Sequence, residues 1–193
     1  MVSATLDLLR AGGLSSAGIH PVIAASKAPI GSLYHYFPGG KHELVAAALA
    51  EAEQAVGESF AAVFAGAAPI DEKVRVLFAV TGDHLKDSKY SRGCPVGAVT
   101  LDLNEDSEPL RGVCRKVFGS WVDEIAAGLH EVPKDERRPV AQWILATLEG
   151  ALILARADGN LGSLRRTGDW VADALAERFA PRSRRLRARA GEA

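Results

Sequence analysis

Residues 27–37 read Lys-Ala-Pro-Ile-Gly-Ser-Leu-Tyr-His-Tyr-Phe, and this stretch decides the fold of the chain. Pro29 suits the first turn of a helix, where a missing N–H costs nothing. The predicted helix over residues 29–36 begins with small and polar side chains and ends in an aromatic cluster. Residues 38–41, Pro-Gly-Gly-Lys, then interrupt it. Such a helix presents its N-terminal end to a partner, and the rest of the sequence indicates that this partner is DNA.

The composition indicates a chain with a sizeable core and no metal, cofactor or membrane partner. Of its 193 residues 48% are hydrophobic, and the net charge is −1. No apolar run approaches the roughly 18 residues of a membrane span, and the N-terminus lacks the pattern of a secretory signal. Cys94 and Cys114 have no CxxC motif or Cys/His cluster near them, which argues against a zinc site or a disulfide framework. We therefore expect a cytoplasmic protein.

Positive charge is concentrated at the C-terminus. Residues 181–193 carry five arginines and one acid, without apolar partners, so we expect an Arg-rich, disordered tail. Residues 1–50 carry three cations and two acids, a net charge of only +1. That is little charge for a segment that binds the phosphate backbone of DNA.

Hydrophobic residues elsewhere recur every three or four positions, which is the period of an α-helix. No segment shows the alternating pattern of a strand, so we predict an all-α protein with about nine helices. The predicted helices cover residues 2–11, a segment ending near 26, 29–36, 41–65, 70–85, 95–103, 107–130, 139–157 and 162–180.

The helix over residues 139–157 is apolar on most sides, with Glu149 as the single charge between residues 143 and 155. A helix of this kind must be covered on most sides. In a chain this short, we expect a second subunit to supply about half of that cover.

Three short helices followed by long ones are typical of a helix-turn-helix head on a helical body. In such a head the N-terminal residues of the recognition helix contact base edges in the major groove, and helix N–H groups and polar side chains contact phosphates. Leu33 and Phe37 would anchor the helix to the two before it. The predicted DNA-binding residues are Lys27, Pro29, Ile30, Gly31, Ser32, Tyr34, His35 and Lys41.

Residues 31–37, Gly-Ser-Leu-Tyr-His-Tyr-Phe, resemble the recognition-helix signature of the TetR family of bacterial transcriptional regulators. The continuation from Phe37 to Lys41, with Leu44 after it, is similar to the LmrA/YxaF-like branch of that family. Residues 92–97, Arg-Gly-Cys-Pro-Val-Gly, and residues 101–103, Leu-Asp-Leu, are similar to a segment of that branch's C-terminal domain.

The resemblance implies a homodimeric repressor that binds a palindromic operator and releases it when a small molecule binds. It implies a DNA-binding domain over residues 1–45 and a ligand-binding and dimerisation domain over residues 46–180. The helices over about 139–157 and 162–180 would form the four-helix bundle of the dimer. The inducer would be a small, hydrophobic or aromatic molecule.

The recognition segment departs from the branch at two positions. Ile30 stands where a lysine is common, and Lys27 stands where a glycine commonly ends the turn. Ile30 can contact a thymine methyl group instead of a phosphate. Basic residues usual ahead of the first helix are also missing, so either the head binds DNA modestly or the start of the chain is clipped.

Candidate ligand contacts come from aromatic and polar residues of the body, because pockets in helical bundles lie between helices. Core packing is the alternative for each aromatic residue and for Cys94. Glu149 can instead pair with an arginine across a dimer or contact water at an edge of the protein. No nucleophile–base pair, metal cluster or phosphate loop supports an enzyme. The alternative function is a dimeric small-molecule-binding protein with weak or lost DNA binding. The candidates are Phe78, Cys94, Phe118, Trp121, Trp143 and Glu149.

Overall fold

The computed structural model describes residues 1–179, and the predicted Arg-rich tail over 181–193 lies outside the described residues. Within residues 1–179 the chain forms nine α-helices and a short 3-10 turn at Glu105–Ser107, which confirms the all-α prediction. The helices are α1 (Val2–Ser16), α2 (Ile19–Ser26), α3 (Ile30–Tyr36), α4 (Lys41–Phe64), α5 (Ile70–Asp87), α6 (Pro95–Leu101), α7 (Glu108–Ala127), α8 (Arg137–Asp158) and α9 (Gly162–Phe179).

The first helix is longer than the sequence predicted, because Gly12 and Gly13 bend it instead of ending it. Gly13 has φ +66° and ψ −157°, a conformation that is essentially restricted to glycine. Helical structure resumes after this kink and continues to Ser16.

The second helix ends at Ser26, and its C-cap residue Lys27 adopts the left-handed conformation with φ +55° and ψ +22°. Glycine takes this conformation without a steric cost, whereas a residue with a Cβ loses roughly 1–2 kcal/mol. The backbone therefore gives a physical reason why a glycine suits this turn.

The described chain divides into two compact units. The first comprises Met1–Glu58 and Ser91–Trp121, and the second comprises Ser59–Tyr90 and the described residues from Val122 onward. Helices α4 and α7 each contribute residues to both units. This division reflects packing rather than function, so the functional boundary after residue 45 stays a prediction.

In the first unit, α1 packs against α6 and α2. A small core holds the first helices together, formed by the buried side chains of Val22, Leu33 and Leu44. Phe37 packs against this cluster in a half-buried position, as its predicted anchoring role requires.

In the second unit, α5 packs along α9, and α8 packs against both. Glycines allow the close approach of α5 and α9, since a Cβ on Gly168 would lie 2.8 Å from the side chain of Phe78. Arg75 of α5 also bonds to two acids of α9, with Nη1 2.6 Å from Asp169 Oδ1 and Nη2 2.5 Å from Asp173 Oδ1.

Helix α8 is long and apolar enough to cross a membrane by length and composition. One face of α8 is buried in the unit that contains α5 and α9. The residues of that face are Ala141, Ile144, Leu145, Leu148, Ala151, Leu152 and Ala155.

We expect Gly128→Ala to lower the free energy of unfolding by about 1–3 kcal/mol, because the new methyl group overpacks a closed contact. A Cβ at Gly128 would lie 2.4 Å from the carbonyl oxygen of Phe64, which cannot move without the backbone. Urea denaturation at fixed protein concentration measures the change. The control is Gly112→Ala in α7, where a Cβ would meet nothing within 4 Å. This control should gain roughly 0.5–1 kcal/mol, and equal losses in both variants would contradict the packing argument.

Candidate nucleic-acid interface

The turns at both ends of α3 fix its position. Pro29 caps the N-terminus with an extended backbone (φ −61°, ψ 140°). At the other end the N–H of Phe37 donates to the carbonyl of Leu33 at 2.7 Å, and the N–H of Gly40 donates to the carbonyl of Phe37 at 2.8 Å. The N–H of Gly39 then bonds to Glu43 Oε2 at 2.8 Å, which joins the turn to α4.

Leu33 separates the buried side of α3 from its exposed side. Its side chain is fully buried, whereas Ile30 is 48% exposed and Tyr34 is 54% exposed. Gly31 lies between them in sequence, and a Cβ there would meet nothing within 4 Å. The exposed side of α3 therefore presents an open surface on which the large side chains of Ile30 and Tyr34 are left uncovered.

The structure exposes most of the predicted DNA-binding residues. Lys27, Pro29 and His35 are exposed, and Ser32 is half-buried. Tyr36 is absent from the predicted set, yet it is 67% exposed and stacks edge-to-face with His35 at 4.9 Å between ring centroids. Its sequence position at the end of the aromatic cluster gave no sign of which way it points.

Lys41 differs from the other candidates because its ammonium group already has a partner. Its Nζ donates to the carbonyl oxygen of Leu14 at 2.6 Å, and the residue is half-buried. Lys27, by contrast, carries an exposed positive charge at the turn before α3.

The candidate ligand contacts lie in both units. In the second unit, Phe78 is buried and lines a cleft of about 280 Å³ together with Gly82, Leu161 and Leu164. Trp143 of α8, in the same unit, is 44% exposed. Glu149 is half-buried on the same helix, and it has a hydrogen-bonding or electrostatic partner.

Two aromatic candidates of the first unit contact each other. Phe118 and Trp121 stack edge-to-face with ring centroids 5.8 Å apart. Trp121 is buried, and its Nε1 donates to the carbonyl of Glu53 at 3.1 Å. Because its polar atom is satisfied by α4, Trp121 also serves as a packing residue.

Both cysteines lie in surroundings that suit a structural role rather than a reactive one. Cys94 caps the N-terminus of α6, where its Sγ accepts the N–H of Gly97 at 3.3 Å. Burial raises the pKa of the Cys114 thiol, which keeps it protonated and unreactive. Among the described residues, no group of three His, Cys, Asp or Glu side chains is placed to hold a metal ion.

We expect Leu33→Ala to destabilise the head by about 2–5 kcal/mol, because it removes a fully buried side chain. Tyr34→Ala, at the neighbouring exposed position, should change stability by less than about 0.5 kcal/mol. Amide hydrogen exchange of α1–α3 measures both effects. Equal protection in the two variants would show that α3 is not held through Leu33.

Comparisons with known proteins identify the family to which the chain is similar. Residues 69–170 match the family model of the "Transcriptional regulator LmrA/YxaF-like, C-terminal domain". The chain is 32% identical over 191 residues to the HTH-type transcriptional regulator Rv0196 of Mycobacterium tuberculosis H37Rv, covering 95% of this chain and 96% of that relative. It is 30% identical over 145 residues to the HTH-type transcriptional regulator YxaF of Bacillus subtilis 168, covering 74% and 76%.

A solved structure shows the same fold. The crystal structure of a TetR transcriptional regulator from Legionella pneumophila matches with a TM-score of 0.77 at 17% identity, covering 90% of this chain and 94% of that chain.

Proposed function

Because the chain belongs to the TetR family of transcriptional regulators, with an LmrA/YxaF-like C-terminal domain, we propose that it is a ligand-responsive repressor. In this proposal a homodimer binds a near-palindromic operator through α3 and is released when a small molecule binds. TetR regulators are not enzymes, in agreement with the absence of catalytic motifs from the sequence. We place the protein in the cytoplasm, where its DNA target is accessible.

The observation that carries the proposal is the uncovered side of α3, which includes Ile30, Gly31 and Tyr34. Gly31 has no side chain and has open space in front of it, which permits close approach of α3 to the DNA groove. Tyr34 exposes a hydroxyl group that can donate to a phosphate, and Ile30 exposes an apolar group that can contact a thymine methyl. This surface belongs to the proposed DNA-binding head over residues 1–45.

The low net positive charge of the head limits its affinity for DNA. Residues 1–50 have a net charge of +1, and Lys41 bonds to Leu14. Each phosphate contact that is missing lowers both affinity and its dependence on salt. The low charge therefore also agrees with the alternative function, a dimeric small-molecule-binding protein with weak or lost DNA binding.

For the inducer, we propose a small, hydrophobic or aromatic molecule bound by the domain over residues 46–180. Phe78 is the candidate contact with the strongest support, since it lines a cleft in the second unit. Cys94, Phe118, Trp121, Trp143 and Glu149 remain candidates on the basis of the sequence.

The homodimer is supported by apolar side chains that the second unit leaves uncovered. Trp143 is 44% exposed and Leu154 is 57% exposed on α8, and Trp170 is 69% exposed on α9. Large exposed apolar patches usually mark interaction sites. A second copy placed on these two helices covers the side chains that the predicted four-helix bundle would bury.

We expect Tyr34→Phe to weaken specific DNA binding about 5- to 10-fold, because it removes one hydrogen bond to phosphate. Tyr34→Ala should weaken it at least as much. Gel-shift titration with DNA upstream of the chain's own gene, at low salt, measures the affinity. Tyr90→Phe in the second unit is the matched control and should bind like the wild type. If the wild type gives no specific shift with this DNA, the repressor proposal fails and the small-molecule binder is favoured.

We expect the double variant Trp143→Glu and Trp170→Glu to be monomeric at micromolar concentration, because it places charges in the proposed interface. Light scattering measures the mass. Val76→Glu on α5 is the control, since Val76 is 47% exposed in the same unit. A wild-type protein that is itself monomeric, or a double variant that stays dimeric, would contradict the interface.

A further inference from the structure

Two charged side chains bond to the backbone of Leu14, one to its N–H and one to its carbonyl oxygen. The N–H of Leu14 donates to Asp102 Oδ2 at 2.7 Å. Its carbonyl oxygen accepts from Lys41 Nζ at 2.6 Å. Asp102 directly follows α6, Lys41 begins α4, and all three residues belong to the first compact unit. We name this arrangement the Leu14 clamp.

The kink in α1 makes the Leu14 groups available. Gly12 and Gly13 leave the helical conformation immediately before Leu14, and the N–H of Leu14 bonds to Asp102 Oδ2 at this point. A carboxylate that accepts such an N–H does what an N-cap residue does. Here the cap comes from a residue 88 positions later in the chain.

Gly13 and Asp102 fit each other closely. A Cβ on Gly13 would lie 2.3 Å from Asp102 Oδ2 and 3.3 Å from the carbonyl oxygen of Ala98 in α6. The positive φ of Gly13 also disfavours any other residue. The clamp therefore depends on a glycine at the kink.

Helix α6 is fastened along α1 at both of its ends. Before α6, Arg92 Nη1 lies 2.9 Å from Asp7 Oδ1, and the N–H of Gly93 donates to the carbonyl of Arg10 at 2.9 Å. After α6, Asp102 bonds to Leu14. The Arg-Gly and Leu-Asp-Leu sequences on either side of α6 thus supply the polar groups that fix its position against α1.

We propose that Asp102 and Lys41 are positioning residues for DNA binding. They fix the direction in which the chain leaves the kink in α1, and with it the orientation of α2 and α3. In this assignment Lys41 acts through the Leu14 carbonyl and not as a phosphate contact. The inference rests on the proposed role of α3 as the recognition helix.

The test compares full-length Asp102→Ala, Asp102→Asn and the control Asp135→Ala, an exposed loop aspartate of the second unit. We expect Asp102→Ala to speed amide exchange in residues 14–36 about tenfold, in line with the loss of one charge-assisted hydrogen bond. Exchange in α5 should stay unchanged. Affinity for the upstream DNA should fall by about the same factor. Asp102→Asn should retain most of both properties, because its amide oxygen still accepts the Leu14 N–H.

Three results overturn the assignment of Asp102. They are wild-type exchange in residues 14–36 of Asp102→Ala, an equal increase in α5, or unchanged DNA affinity despite faster exchange. If the wild-type protein binds no DNA, the proposed function fails. The exchange measurement then decides alone whether Asp102 orders α2 and α3.

Lys41→Met separates the two possible roles of the lysine. Faster exchange in residues 14–36 with an unchanged salt dependence of the remaining DNA binding supports positioning. Unchanged exchange, with a slope of log affinity against log salt that falls by about one, identifies a phosphate contact and overturns the positioning role.

Discussion

The burial of Leu33 between Val22 and Leu44 is the interaction on which the candidate interface depends. Helix α3 has seven residues, far fewer than an isolated helix needs in water. Its conformation therefore depends on packing against α2 and α4, with Leu33 as the fully buried side chain and Phe37 packed beside it. With Leu33 fixed, the direction of α3 is fixed, and Ile30, Gly31 and Tyr34 must point away from the core.

The sequence was sufficient to predict the number and order of the helices, because long runs of period 3.6 are robust. It was less informative where backbone and remote residues act together. Two glycines normally indicate the end of a helix, but after Gly13 the chain becomes helical again and Asp102 caps the Leu14 N–H. No local pattern reveals a cap that comes from 88 residues away.

In the candidate sites, too, local features could be predicted from the sequence and contacts with remote residues could not. Exposure of Tyr34 and burial of Leu33 follow from their spacing on one short helix. The partner of Lys41 cannot be inferred from spacing. A lysine at the start of a helix has the same sequence pattern whether it bonds to a carbonyl or to a phosphate. The aromatic candidates of the body lie in two units, since a helical stripe of aromatic residues does not specify which of them faces a cavity.

At Lys27 the stability of the left-handed backbone and the positive charge of the side chain favour different residues. A glycine there would relax the backbone but would remove an exposed cation next to α3 in a head that has few. Replacement of Lys27 by glycine would therefore stabilise the head and weaken its electrostatic attraction to a polyanion. Lys27 therefore combines a conformationally strained backbone with an exposed positive charge next to α3.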